Sequence, residues 1–260
     1  MKLFIAFLFI NLKNQVEHRI NFILLCFIIL PVQLSQIIFS WAVSQNFKSI
    51  IKWDKWELIF LYALIYFSYS FSQIFFKQFR YIYTSIIDGQ FDIYFLKPGS
   101  VMKNYILYNL SVVELISQFI PAGILLLIVC IKLNIIWNIK KIIILFLSLI
   151  SGIGIQACIF ILIGLPAFFL LKSTSIERFY FLLKDYLNYP LNIFGETIKF
   201  ILTAIIPMGY INYYPALYIL EKNTTYSMTN IFFIPITVLL GIITIKLWKI
   251  ALKNYSSGGG

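Results

Sequence analysis

Glu114 is a carboxylate embedded in an apolar run, and Lys184 and Asp185 stand side by side in another. An ionisable group at such depth is expensive in hydrocarbon, and its default chemistry is a proton or ion relay or a station on a substrate path. The quieter readings of Glu114 are a protonated acid bonded to a neighbouring helix, or a position closer to the interface. Adjacent helical residues point to different faces, so Lys184 and Asp185 need not pair. Glu196 and Lys199, three apart, read as an ordinary surface pair. His18 is the only histidine, so a histidine metal site or a Ser-His triad has no support. The inner acids Glu17, Asp88, Asp92 and Glu177 are scattered without a repeated motif, which weakens the case for a membrane-embedded lipid-modifying enzyme. A phosphate loop needs a glycine-rich turn ending in Lys and Ser or Thr, and none occurs. "GIGIQA" at 152–157 mimics a dinucleotide fingerprint but lies inside an apolar span, where Ser148 with Gly152 or Gly154 with Cys158 reads as close helix packing. Cys26, Cys130 and Cys158 each lie in an apolar run and read as small buried hydrophobes.

The elements that must position these residues are membrane helices. The chain has 260 residues, of which 61% are hydrophobic and 12% charged, and its mean hydropathy is +0.89. That composition excludes a soluble domain and predicts an all-α integral membrane protein. The net charge of +11 is strung singly between apolar runs, so it speaks for membrane orientation and not for nucleic acid. The abundance of Phe and Tyr matches the coding bias of an AT-rich genome and carries no functional weight here. Residues 1–19 alternate an apolar stripe with charges, as an interfacial helix does, and no cleavable leader is expected. Six spans are expected, at 20–44, 56–77, 105–131, 142–171, 176–190 and 230–250. Residues 192–220 carry Pro207, Gly209 and Pro215 and read as a re-entrant or kinked outer helical element before span six. The whole chain, 1–260, reads as one transmembrane domain.

Between spans two and three lies "SIIDGQFDIYFLKPGS", 85–100. Asp88 and Gly89 fit the end of the long second helix, since glycine accepts the left-handed conformation that closes one. Phe91 to Lys97 is expected to make about two further turns, stopped by Pro98 and Gly99. Phe91, Phe95 and Tyr94 or Leu96 would share an apolar side, with Asp92 complementing the helix N-terminus. One reading is a loop helix resting on lipid; the other is a docking knob for a protein.

Three stretches carry a resemblance: "IIDGQFDIYFLKPGS" (86–100), "NYPLNIFGETIKFILTAIIPMGYINYYPALYIL" (188–220) and the tail "WKIALKNYSSGGG" (248–260). Together they resemble the ABC type-2 permeases, over essentially the whole chain. The resemblance implies the membrane subunit of an ATP-driven transporter, usually an exporter, which itself holds no cofactor. ATP and Mg would belong to a partner ATPase, present in two copies, and a second permease chain, related or identical, would complete the conduit, with a heterodimer favoured. It further implies that Asp88, Gly89, Phe91, Asp92, Tyr94, Phe95, Leu96, Lys97 and Pro98 form a cytoplasmic coupling helix seated in the ATPase. Asp92 and Lys97 would supply rim contacts. Conduit residues would be Glu114, Tyr189, Pro190, Pro207, Tyr213, Tyr214 and Pro215.

Charge sets the orientation. With the N-terminus inside, twelve of the 21 Lys and Arg lie on the inner side and eight on the outer, with Lys184 within a span. All three arginines, Arg19, Arg80 and Arg178, fall inside. Both termini are therefore expected in the cytoplasm of a bacterial cell, with the chain in its inner membrane. An ion-coupled carrier using Glu114 is the rival function.

Overall fold

The computed structural model of the chain describes residues 19–46, 53–170, 174–222 and 232–256. The expected interfacial helix therefore lies outside the described residues except for Arg19, as do the last residues of the tail. Every regular element among the described residues is helical. Helix α1 (Arg19–Asn46) is followed by α2 (Lys55–Phe76), which runs on through a 3-10 turn (Lys77–Tyr81) into α3 (Ile82–Ile87). A second 3-10 turn (Gln90–Asp92) leads into α4 (Ile93–Leu96), then come α5 (Val101–Tyr108) and α6 (Val112–Lys132, with a π turn at Leu115–Phe119). Helix α7 (Ile139–Gly164) turns at 165–166 into α8 (Ala167–Leu170), followed by α9 (Thr174–Tyr186) and α10 (Glu196–Ile205). Last come α11 (Tyr213–Ile219) and α12 (Phe233–Lys253).

Four helical stretches are long and apolar enough to cross a membrane: Lys55–Ile87, Val112–Lys132, Ile139–Phe169 and Phe233–Lys253. The pair Glu196–Ile205 and Met208–Ile219, bent by 80° around Pro207, makes a fifth if it is one span. In α1 the apolar stretch is Phe27–Phe39. Three expected boundaries move. The apolar span expected to end at 77 continues to Ile87, where the end of the long second helix is expected at Asp88 and Gly89, because the 3-10 turn tightens the helix without breaking it. The third crossing starts at Val112 and not at 105, because the chain breaks at 109–111, where Ser111 N bonds the Ile74 carbonyl at 3.1 Å. The stretch expected to span at 176–190 is the 13-residue α9, below the length a crossing needs on its own.

Local chemistry fixes the helix starts. The backbone N–H of Asp54 donates to Glu57 Oε2 at 2.7 Å and opens α2. Ser100 Oγ accepts from Lys103 N at 3.3 Å at the start of α5, and Asn138 Oδ1 accepts from Lys141 N at 2.8 Å at the start of α7.

Helix α7 is the central staff, packed between α2 and α12, and the expected small-residue contacts make this possible. A Cβ on Gly152 would stand 2.5 Å from Ser68 Oγ, and one on Gly154 would stand 2.6 Å from Thr237 Cγ2. At Gly164 it would run into the Phe79 carbonyl oxygen. Such proximity lets Ser72 Oγ donate to the Ile153 carbonyl at 3.0 Å and Ser151 Oγ to the Phe233 carbonyl at 2.9 Å. Cys158 is buried on the same helix and Cys130 is half-buried on α6; the side chain of Cys26 lies outside the described residues.

Candidate functional site

The segment after α3 closes as its residues require. Gly89 sits at φ +67° and Gly99 at φ +107°, backbone conformations that favour glycine. Lys97 is extended ahead of Pro98, as a residue before proline tends to be. The side of Asn104 holds the end of α4 by donating to the carbonyls of Tyr94 and Lys97, each at 3.2 Å.

The apolar side chains of this knob divide into two sets. Phe91 is fully buried and does not face outward with Phe95 and Leu96. A 3-10 turn in place of a full α turn aims its ring inward, where it meets Tyr105 (centroids 5.6 Å apart), Phe168 (5.5 Å), Trp248 (6.5 Å) and Tyr255 (5.2 Å). The knob is thus rooted on α5, α8 and α12, and through Phe79 and Ile82 on the 3-10 turn after α2 and on α3 as well. Its outer surface carries Ile87, Ile93, Phe95 and Leu96, with Leu96 86% exposed. Asp92 is half-buried, and its Oδ1 accepts from the Tyr255 hydroxyl at 2.7 Å, so it ties the tail to the knob. The Lys97 ammonium lies over the Tyr94 ring at 5.5 Å and against the Tyr108 ring. Asp88 and Pro98 are exposed at its two ends. Burial holds the Tyr105 hydroxyl well above its ordinary pKa, against the opposing hydrogen bond with Ser85, so it stays a donor to the Gln78 carbonyl at 2.9 Å.

Glu114 is not an isolated acid. It lies in the first turn of α6, only 2% exposed, and Lys77 Nζ reaches its Oε1 at 2.5 Å while the Gln118 amide bonds its Oε2. The depth expected from Lys103 fails because α5 and α6 are separate helices. On the neighbouring face, Arg80 pairs with Glu177 at 3.2 Å and donates to Gln73 Oε1 at 2.8 Å, and the Gln73 amide bonds the Tyr69 hydroxyl.

Both networks end at one cleft of about 270 Å³ between α1, α2, α6 and α9. Tyr62, Ile65, Tyr66 and Tyr69 line it from α2 with the spacing of one helical face. Gln33 and Gln36 come from α1, Gln118 from α6, and Lys184 from α9 with Asn188 just beyond it. Of the expected conduit residues none lines this cleft. Pro207, Tyr213, Tyr214 and Pro215 are buried, with Tyr213 against Trp53 (6.3 Å) and Tyr214 stacked on Tyr210 (4.8 Å). They lie at the bend and in the second arm of the bent pair, and Asn212 pins this segment to the carbonyls of Leu61 (3.2 Å) and Leu187 (2.6 Å). Pro190 is buried, and Tyr189 borders a separate depression with Asp185 and Phe194. Glu196 and Lys199 form their pair at 3.2 Å.

A family model described as "ABC-2 family transporter protein" matches residues 30–259, spanning the knob, the bent pair and most of the tail. The chain belongs to the ABC-2 transporter family. No curated protein and no solved structure matches it. Family membership and the apolar helices make it a multi-pass membrane permease of an ABC transporter, and ABC-2 permeases work with ABC ATPase subunits. Among the described residues of this permease no group of three or more His, Cys, Asp or Glu could hold a metal. Two sets of residues at the knob and the cleft are not evident from the sequence. Trp248 and Tyr255 belong to the tail motif, whose residues by themselves do not reveal what they pack against. Tyr62, Tyr66 and Tyr69 are hidden by the general abundance of Tyr, although their helical spacing is an available signal.

Proposed function

We propose that this permease is half of the conduit of a bacterial exporter and receives work from the ATPase through the knob between α3 and α5. Six crossings follow if α1, α2 with α3, α6, α7 with α8, α9 extended by residues 187–193, and α12 each cross once and α10 with α11 dips into the outer leaflet. The termini and the knob are then cytoplasmic, and the membrane is the bacterial inner membrane. Two ATPase copies, which hold ATP and Mg, serve two permease chains, with a related second chain favoured over an identical one. An amphipathic substrate suits a conduit with short loops that opens toward lipid.

The observation that carries this reading is the split of the knob. Ile87, Ile93, Phe95 and Leu96 offer an apolar surface that solvent would not favour, while Phe91 fixes their base to several helices at once. A push on that surface moves the inner ends of α5, α8 and α12 together, the rigid-body transmission an ATP-driven change of access requires. The pairing of Glu114 with Lys77 makes a proton-coupled carrier the weaker reading, because an acid held by an ammonium is a poor relay. The test is recovery of the ATPase with the tagged permease from bacterial membranes. Leu96→Asp, on an 86% exposed side chain, is expected to leave the permease folded and cut ATPase recovery at least about tenfold. Unchanged recovery with Leu96→Asp and Phe95→Asp combined would remove the knob from the coupling interface.

A further inference from the structure

We infer that the cleft between α1, α2, α6 and α9 is a binding site for an anionic amphiphile, with Lys184 as its anion partner. The inference rests on the permease reading above for its place in transport, but not for its chemistry.

The charge balance of the region points to an anion. Arg80 is matched by Glu177 and Lys77 by Glu114, both as ion pairs. Lys184 has no ion pair among the described residues, and its ammonium rests 4.4 Å from the centre of the Tyr69 ring. Asp185, next in sequence, acts on this ammonium through space but forms no ion pair with it and borders the other depression, while the charge of Arg80 acts in the opposite sense. An ammonium set beside the rings of Tyr69 and Phe181 and without an ion-paired acid is incompletely compensated, and a ligand acid supplies what is missing.

Two more groups at the same wall await partners. Tyr66 Oη and Gln118 Oε1 are buried and make no hydrogen bond. The Gln118 amide nitrogen is already committed to Glu114, which fixes its oxygen as the free acceptor. A ligand that satisfies the wall thus brings an acid for Lys184 and Tyr66, and a hydroxyl or amide donor for Gln118. The apolar part has its own lining, with Ile28 and Val32 on α1, Ile65 on α2 and Phe181 on α9. The exposed Phe27 and Ile28 continue the apolar track along α1, so an acyl chain can lie there while its head occupies about 270 Å³.

The probe is an acyl chain bearing a diazirine on three heads: lysophosphatidic acid, lysophosphatidylcholine and monoacylglycerol. Full-length permease in nanodiscs is photolabelled without nucleotide, and labelled peptides are mapped by mass spectrometry. The acid is expected to label α1 and α9 peptides at least about tenfold more than either other head. Lys184→Gln should abolish that preference, and Lys184→Arg should keep it, which guards against a fold defect. Equal labelling by the three heads, or a preference unchanged in Lys184→Gln, would overturn the inference. A bound acid lipid and an exported acyl compound share this chemistry. Adding ATP to the complete complex separates them, since label acquired after hydrolysis falls for cargo and persists for a resident lipid. The labelling needs no ATPase, so loss of the knob interface and loss of the anion site are distinguishable results.

Discussion

At the scale of residues, the acid that looked most functional is held in an ion pair. Glu114 is almost fully buried, but Lys77 remains 38% exposed, so water offsets part of what the pair contributes. Glu114→Gln is expected to lower stability by about 1–2 kcal/mol, less than for a fully buried pair. Unfolding in detergent of Glu114→Gln, Lys77→Met and the double variant checks this, with the double variant recovering part of the loss. A relay would behave differently, keeping stability and losing transport. Phe91 and Leu96 make the same point for apolar residues. Five positions apart in one short segment, they are fully buried and 86% exposed, one a root and the other a contact surface.

At the scale of elements, the spacing of α7 from α2 and α12 depends on three glycines with little room for a side chain. Gly164→Ala places a methyl group against the Phe79 carbonyl oxygen, a backbone atom that cannot rotate away. The helices must separate, at a cost of roughly 2 kcal/mol or more. Gly241 on α12 has open space around the same position, so Gly241→Ala is expected to be neutral or to stabilise by up to about 1 kcal/mol. Thermal midpoints of the two variants in one detergent should move in different directions or by clearly different amounts. The comparison also isolates packing from helix propensity, because both changes are glycine to alanine within a helix.

At the scale of the whole molecule, orientation decides whether the knob can meet an ATPase. Leu96 in the knob and Ile136 in the turn between α6 and α7 are 86% and 85% exposed. They form a matched pair of probes for opposite faces. In a background without Cys26, Cys130 and Cys158, Ile136→Cys should react with a membrane-impermeant maleimide on intact cells. Leu96→Cys should react only after the cells are opened. Labelling of Leu96→Cys from outside would place the knob on the wrong side of the membrane and end the coupling account.

The sequence alone determined the class, the long apolar helices, the left-handed closure at Gly89 and the stop at Pro98. These follow from composition, periodicity and the conformational limits of single residues, all of which are local. It also showed that the tail and the 188–220 stretch carry distinctive residues, though not what they touch. Tertiary structure decided which side of the knob Phe91 faces, because that depends on Trp248 and Tyr255 arriving from more than 150 residues away. It decided that Glu114 is paired, because Lys77 belongs to another helix. It gathered tyrosines from α2, glutamines from α1 and α6 and Lys184 from α9 around one cleft. No local pattern can report such a convergence, since each of these residues by itself is an ordinary member of an apolar helix.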